Sequence, residues 1–534
     1  MVQLVHDFIE HRAKLTPLAP AISYQGVESS YAALAEMVSA AAAALIKLGI
    51  GRGERVAVYL EKCEENVIAM FGASAAGAVF VPINPLLKPD QVAYILNNCN
   101  VRILVTSRER LDQLYDVLPK CPDLRTAIVT RVASHAAPLA PMAGVNLVSW
   151  RDCLNLNSPH ELAHTCHRMI DTDMAAILYT SGSTGMPKGV VLSHRNLVSG
   201  ALSVASYLNN TEHDRILCLL PLSFDYGLSQ LTTAFAVGAC AVLMNHLLLH
   251  DVIDTVEKER ITGLAAVPPL WMQLSQLNWS GALDLRYITN SGGVMPRPTL
   301  DALRQALPNV SIYLMYGLTE AFRSSFLAPD QLDAHPDSIG KAIPNAEVLV
   351  LRPDGSPCAA DEPGELVHRG ALVALGYWND ALQTAQRFKP LPVRASGLPL
   401  PELAVWSGDT VRRDAEGYLY FVGRADDMIK TSGYRVSPSE VEEVVYASGL
   451  VGEAVAVGVP HPLLGQAIAL LATRAPHLVV DEALLLASCK ARLPNYMLPA
   501  FIELRHEPLP RNPNGKIDRK RLASELIDLF ADRA

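Results

Sequence analysis

The sequence predicts an α/β fold: a large N-terminal body of helices layered on mostly parallel sheets, a small β-rich unit, and a smaller α+β unit at the C-terminal end. Three observations predict it. The chain has 534 residues, half of them hydrophobic and 19% charged. That is enough apolar side chain for a large core and too much length for one, so roughly two to four structural units are expected. The N-terminal half alternates helical with strand-like apolar spacing, the β-α-β-α rhythm of parallel sheets covered by helices. Near Pro353, and again after Arg424, the pattern changes.

Residues 30–48 are alanine-rich with apolar positions at helical spacing, and residues 54–60 alternate as a short strand. Residues 65–78 read as a helix, 79–83 as a strand, 89–98 as a helix with an acidic first turn, and 101–106 as a strand. A more polar stretch, 160–173, precedes the next motif. From Pro353, short strands separated by Gly and Pro predict the β-rich unit. Beyond Arg424, Ser437 with Glu440 three residues on predicts a capped helix over 437–446. Helices over 481–493 and 522–532 follow. A hinge near Asp426 divides the chain into 1–425 and 426–534.

Composition excludes some classes of function. A net charge of -9 supplies no global field for nucleic acid. The nine cysteines form no CxxC pair and no Cys/His set at zinc-ligand spacing, which reads as reduced thiols in a cytoplasmic protein. The first fifteen residues carry acids and no long apolar run, unlike a signal peptide. Residues 231–249 lack charge over almost a membrane span, but Gly238, Asn245 and His246 interrupt them, and a buried helix followed by a buried strand is the expected reading.

The strongest local signal follows an apolar strand over 175–179: Tyr179, Thr180, Ser181, Gly182, Ser183, Thr184, Gly185, Met186, Pro187, Lys188, Gly189. Glycines let backbone N–H groups converge on an anion, hydroxyls add donors, and lysine adds a point charge. This is a phosphate cradle. It departs from the Walker A pattern, because Pro187 precedes the lysine and Gly189 follows it.

This loop resembles the phosphate loop of the adenylate-forming superfamily, which includes acyl-CoA synthetases, peptide-synthetase adenylation domains and luciferases. Five further segments match in the family's order: Tyr316-Gly317-Leu318-Thr319-Glu320, Gly364-Glu365-Leu366, Ser407-Gly408-Asp409, the run from Gly423 to Val436, and Asn514-Gly515-Lys516-Ile517-Asp518. The resemblance covers nearly the whole chain. It implies two α/β subdomains and the β-rich unit in the N-terminal body, with a mobile C-terminal lid. It further implies ATP, Mg²⁺ and a thiol acceptor, either coenzyme A or the phosphopantetheine of a carrier protein.

The resemblance also assigns roles. Thr180 to Gly185 and Lys188 would hold phosphates. Tyr316 would stack on adenine beside Gly317, where its ordinary alternative is core packing. Gly292 and Gly293, after Ser291, would let the chain approach the adenine, unless they simply turn it. Thr319 would meet phosphate, and Glu320 with Thr180 would meet Mg²⁺, a hard cation that wants carboxylate and phosphate oxygens. Asp409 would accept the ribose hydroxyls, and Arg424 would contact the nucleotide. Lys516 would stabilise charge as pyrophosphate leaves, although by itself it is one more cation of a basic tail. Asp426 would be the hinge about which the lid rotates. Lys430 and Gly433 would then approach the adenylate, Gly433 lining the thiol channel.

Two departures bear on the substrate. Many fatty-acid and acetate enzymes carry an aromatic-His element where this chain has Phe224-Asp225. That pair resembles the peptide-synthetase pattern, whose aspartate binds an α-amino group; alternatively Asp225 caps the next helix. Arg323 stands where relatives line the acyl pocket with apolar residues. It would bind a polar group or second carboxylate, or point to solvent. Together they favour a small polar or amino acid. The wording of 224–227 and 316–325 resembles acyl-CoA ligases that accompany exosortase-type systems. No carrier domain follows Lys516, so the acceptor is expected to be coenzyme A or a separate acyl or peptidyl carrier protein. The predicted function is an AMP-forming carboxylate–thiol ligase, with amino-acid activation for a carrier protein as the alternative. A nucleotide-binding protein without turnover and a luciferase-like oxidase are the more distant readings.

Overall fold

The computed structural model describes residues 2–130, 142, 144–155, 167–180, 186–293, 295, 297–391, 401–424, 428–474, 480–510 and 517–531. Three sheets organise them. The first has eight strands: Gly376–Tyr377, Lys188–Ser193, Met174–Thr180, Val79–Pro82, Arg55–Tyr59, Val101–Ser107, Thr126–Thr130 and Asn146–Ser149, in that spatial order. Its six strands from Met174–Thr180 to Asn146–Ser149 run parallel. The inner strands Val79–Pro82, Arg55–Tyr59, Val101–Ser107 and Thr126–Thr130 are almost continuously buried, as a sheet covered on both faces requires, whereas the edge strand Asn146–Ser149 is part-exposed.

The alanine-rich stretch is the helix Tyr31–Lys47, with Ser30 capping it by accepting from the Ala33 N–H. It lies close on Glu64–Ala75. A Cβ placed on Gly72 would sit 2.8 Å from the Ala41 Cβ, so small residues on both helices set the approach. Behind them Phe235 meets Phe71 edge to face at 5.3 Å. Both rings are fully buried, each contributing about 1.5–3 kcal/mol of transfer free energy. The charge-free stretch at 231–249 resolves into the end of the helix Asp225–Val237, a left-handed Gly238, and the strand Cys240–Leu243. No helix among the described residues is long and apolar enough to cross a membrane.

The second sheet carries fourteen strands and joins the second α/β layer to the β-rich unit. The strand Ser338–Ala342 makes the join. One end pairs with Phe322–Leu327 and the other with Leu419–Arg424. Gly340 turns it with φ +84, and a Cβ there would lie 1.8 Å from the Phe326 carbonyl oxygen. The third sheet has five strands and its own core, built on Val451–His461 and Gly465–Arg474 with the helices Pro438–Ala447 and Glu482–Arg492.

Two expectations need correction here. Ser437 sits at the N-cap of Pro438–Ala447, but its side chain accepts no capping hydrogen bond and is buried. The last helix is Arg519–Glu525 rather than 522–532. It starts earlier because Asp518 caps it, accepting from the Arg521 N–H.

Candidate functional site

A cavity of about 350 Å³ lies between the large body and the C-terminal sheet. Its walls bring together Thr180, Gly292, Tyr316, Thr319 and Asp409 from the body with Lys430 and Gly433 from the C-terminal unit. Residues from every part of the chain thus meet at one cleft, as interdomain sites commonly do.

The phosphate-cradle motif spans the antiparallel pair Met174–Thr180 and Lys188–Ser193, with Thr180 opposite Lys188. Ser181, Gly182, Ser183, Thr184 and Gly185 lie outside the described residues. The Lys188 ammonium donates to Gln383 Oε1 at 3.1 Å and sits 5.4 Å from the centre of the Tyr377 ring. Tyr377 in turn donates its hydroxyl to Glu320 Oε1 at 2.6 Å. Lysine, tyrosine and glutamate form a chain beside the cradle. Glu320 and Thr180 supply hard oxygen donors, and Mg²⁺ asks a protein for only one or two of these beside phosphates and water. Sequence reasoning missed Tyr377, which stands after Gly376 in a stretch of no distinctive pattern.

Asp409 is 2% exposed. It accepts from the Tyr316 hydroxyl. Its own motif and one other hold it there. The Ser407 hydroxyl donates to the Leu366 carbonyl at 2.7 Å and accepts from the Asp409 N–H at 3.0 Å, while Glu365 Oε1 accepts from the Gly408 N–H at 3.0 Å. Gly408 has φ +68, and a Cβ there would strike the Arg387 guanidinium at 2.3 Å. The Gly364-Glu365-Leu366 motif therefore acts as the support of the Asp409 turn. The Arg424 backbone pairs with Asp409 across the ladder; its side chain lies outside the described residues. At the other wall, the Asn290 amide donates to the Gly293 carbonyl at 3.1 Å, closing the Ser291-Gly292-Gly293 turn. Gly317 is packed by backbone: a Cβ would lie 2.4 Å from the Phe322 carbonyl oxygen.

The C-terminal unit presents the hairpin Ile429–Thr431/Tyr434–Val436 to this cleft. Ser432 and Gly433 make its tip with φ of 52 and +81. A Cβ on Gly433 would lie 2.7 Å from Val267 Cγ2, and the Gly433 carbonyl oxygen faces Gly292. Tyr434 meets Phe224 edge to face at 4.9 Å and stacks on Tyr496 at 3.6 Å. The Lys430 backbone N–H donates to Gln466 Oε1, and its ammonium lies 4.7 Å from the centre of the Phe421 ring. Asp426 and Lys516 lie outside the described residues. Gly433 and Tyr434 also line a second cavity that reaches Lys62 and His246. Burial there pulls the Lys62 ammonium down to about 8.

Asp225 and Arg323 both line the main cavity, and they pair with each other. Arg323 Nη1 donates to Asp225 Oδ2 at 3.2 Å. This bears on the alternatives left open for each residue. Asp225 is the first residue of Asp225–Val237, with Phe224 at the N-cap position, and Arg323 is 2% exposed rather than turned to solvent. Its guanidinium lies 4.2 Å from the centre of the Tyr226 ring. Burial pushes the Asp225 carboxyl up, against the pull of Arg323.

Comparison with known proteins accords with this geometry. The family model described as AMP-binding enzyme matches residues 9–378, and that described as AMP-binding enzyme C-terminal domain matches residues 440–516. Tyrocidine synthase 3 of Brevibacillus parabrevis is 29% identical over 97% of this chain, which spans only 8% of that protein. 4-Coumarate–CoA ligase 2 of Oryza sativa subsp. japonica is 28% identical over 98% of this chain and 92% of its own length. The solved o-succinylbenzoate CoA synthetase of Bacillus subtilis superposes with a TM-score of 0.82 at 26% identity, covering 96% of this chain and 97% of that one.

Proposed function

Because the chain belongs to the AMP-binding enzyme family, we propose that it activates a carboxylic acid with ATP and passes the acyl group to a thiol, coenzyme A in the first instance. The observation that carries this reading is the meeting of Asp409 and Tyr316 with Lys430 and Gly433 around one cavity. In the first step the acid's carboxylate oxygen attacks the α-phosphorus of ATP, and pyrophosphate leaves with the broken P–O bond. Asp409 and Tyr316 hold the nucleoside, Lys188 and the residues from Thr180 to Gly185 hold phosphates, and Lys516 meets the charge that develops. Mg²⁺, held through Glu320 and Thr180, would neutralise phosphate charge. In the second step a thiolate attacks the acyl carbon and AMP leaves. Gly433 and Lys430 serve this step, with Asp426 as the hinge between 1–425 and 426–534. The pose with the Gly433 tip inward is the one suited to thiol attack.

The pairing of Asp225 with Arg323 weighs against an α-amino acid, because the carboxylate that would hold the ammonium already holds a guanidinium. The eight described cysteines are buried thiols outside any disulfide among the described residues, which supports a reducing environment. The test is acid-dependent ATP–pyrophosphate exchange with Mg²⁺ and no thiol, across alkyl, aryl, hydroxy and amino acids. Exchange with one class, lost by about a hundredfold or more in Lys516→Ala, is the expected result. ATP binding without exchange for any acid would contradict it.

A further inference from the structure

We propose that the activated acid carries an uncharged group that both donates and accepts hydrogen bonds, a hydroxyl or a carboxamide, seated against the Asp225–Arg323 pair; this rests on the adenylation reading above. Three observations converge. The pair forms part of the same cavity that Tyr316, Thr319 and Gly433 line. Arg323 stands opposite Gly317 in the ladder between Ser311–Leu318 and Phe322–Leu327, so the strand that carries it neighbours the nucleotide segment. Third, the Arg323 side chain is buried with donors to spare. Nη1 reaches Asp225, whereas Nε and Nη2 meet no protein acceptor among the described residues. Arg323 also lines a small space of mixed character, where Ser229, Gln230 and Thr233 stand beside Val204, Leu208 and Met315.

Charge decides what such a floor accepts. A second ammonium beside Arg323 is repelled by the guanidinium, and a second carboxylate is repelled by Asp225. An alkyl end would cover a buried ion pair and offer it nothing, which costs free energy. A hydroxyl or carboxamide donates to Asp225 and accepts from Arg323, so it is the one kind of tail that both partners welcome. The aromatic faces of Tyr226 and Phe322, at 4.2 and 5.1 Å from the guanidinium, hold Arg323 in place.

The test measures kcat/KM for pyrophosphate exchange with acids of three to six carbons. At each length the tail is methyl, hydroxyl, carboxamide, ammonium or carboxylate. The wild type is expected to favour the hydroxyl or carboxamide member by about a hundredfold over the alkyl one, since a site built to hydrogen-bond its substrate rejects the analogue that cannot. Arg323→Met leaves a buried carboxylate alone and risks misfolding, so the double variant D225N/R323M is measured beside it. That variant is expected to invert the preference towards alkyl acids. A wild type that prefers ammonium, carboxylate or alkyl tails overturns the proposed class while preserving adenylation. Exchange with no acid by folded protein overturns both.

Discussion

On the nucleotide side of the cleft, Asp409, Tyr316, Ser407 and Glu365 are tied by hydrogen bonds that cross from strand to strand within one body. On the thiol side, a hairpin from a separate sheet meets that body mainly through packing: Gly433 on Val267, Tyr434 on Phe224, and a long 3.5 Å contact from Gln91 to Glu440. Each bond of the first set contributes about 0.5–1.5 kcal/mol and none is expendable without disturbing its neighbours. On the reading proposed above, the second set gives way to another when the C-terminal unit turns. A two-step reaction on one nucleotide asks for this division, with the nucleotide held still while the residues opposite it change.

Breaking the fixed side is expected to have the larger effect. Asp409→Ala removes a buried carboxylate that Tyr316 addresses and that ribose hydroxyls would share. At about 1.5–3 kcal/mol for hydrogen bonds to a charged group, kcat/KM for ATP in exchange should fall roughly 10- to 100-fold with the fold retained by circular dichroism. An unchanged kcat/KM for ATP would remove Asp409 from the site. Tyr377→Phe deletes the donor to Glu320 and should raise the Mg²⁺ and ATP requirement about fivefold. If the Mg²⁺ dependence does not move, Tyr377 only packs.

The exchangeable side should instead show itself through pH. Burial raises the Glu440 carboxyl to about 8, with Gln91 pulling it down and Glu443 pushing it up; Tyr94 and Tyr496 also face it. Its neutral form is the one that the docked face tolerates. Docking therefore takes up a proton between the ordinary carboxylate value and about 8. The docked pose is fully favoured below that window and loses ground as pH rises through it. The ratio of thiol-transfer rates, Glu440→Gln over wild type, should climb from near one at acid pH to about threefold at alkaline pH. A flat ratio would show that Glu440 is buried within the C-terminal unit in both poses.

Much of this was legible in the sequence. The helix Pro89–Asn98 falls at the predicted residues, because Pro at the start and an amphipathic period define it locally. The phosphate-cradle strand was also readable, since it needs an apolar run, whereas Gly433 was singled out only through the family resemblance. What could not be read depends on partners far along the chain. Asp225 finds Arg323 almost a hundred residues away, and no local pattern separates that ion pair from a helix cap. Glu365 supports Gly408 across a ladder, so the role of its motif follows only from the register. Ser437 has a capping spacing, but packing buries its hydroxyl and overrides the local preference.

The division of labour between the two sides is tested most directly by Gly433→Val, assayed for both half-reactions in one preparation. The new side chain would collide with Val267 in the docked pose, while leaving the nucleotide side untouched. Acid-dependent pyrophosphate exchange should stay within about threefold of wild type, and thioester formation from preformed acyl-adenylate should fall about a hundredfold. Loss of both activities together, or retention of both, would contradict a fixed nucleotide side served by an exchangeable thiol face.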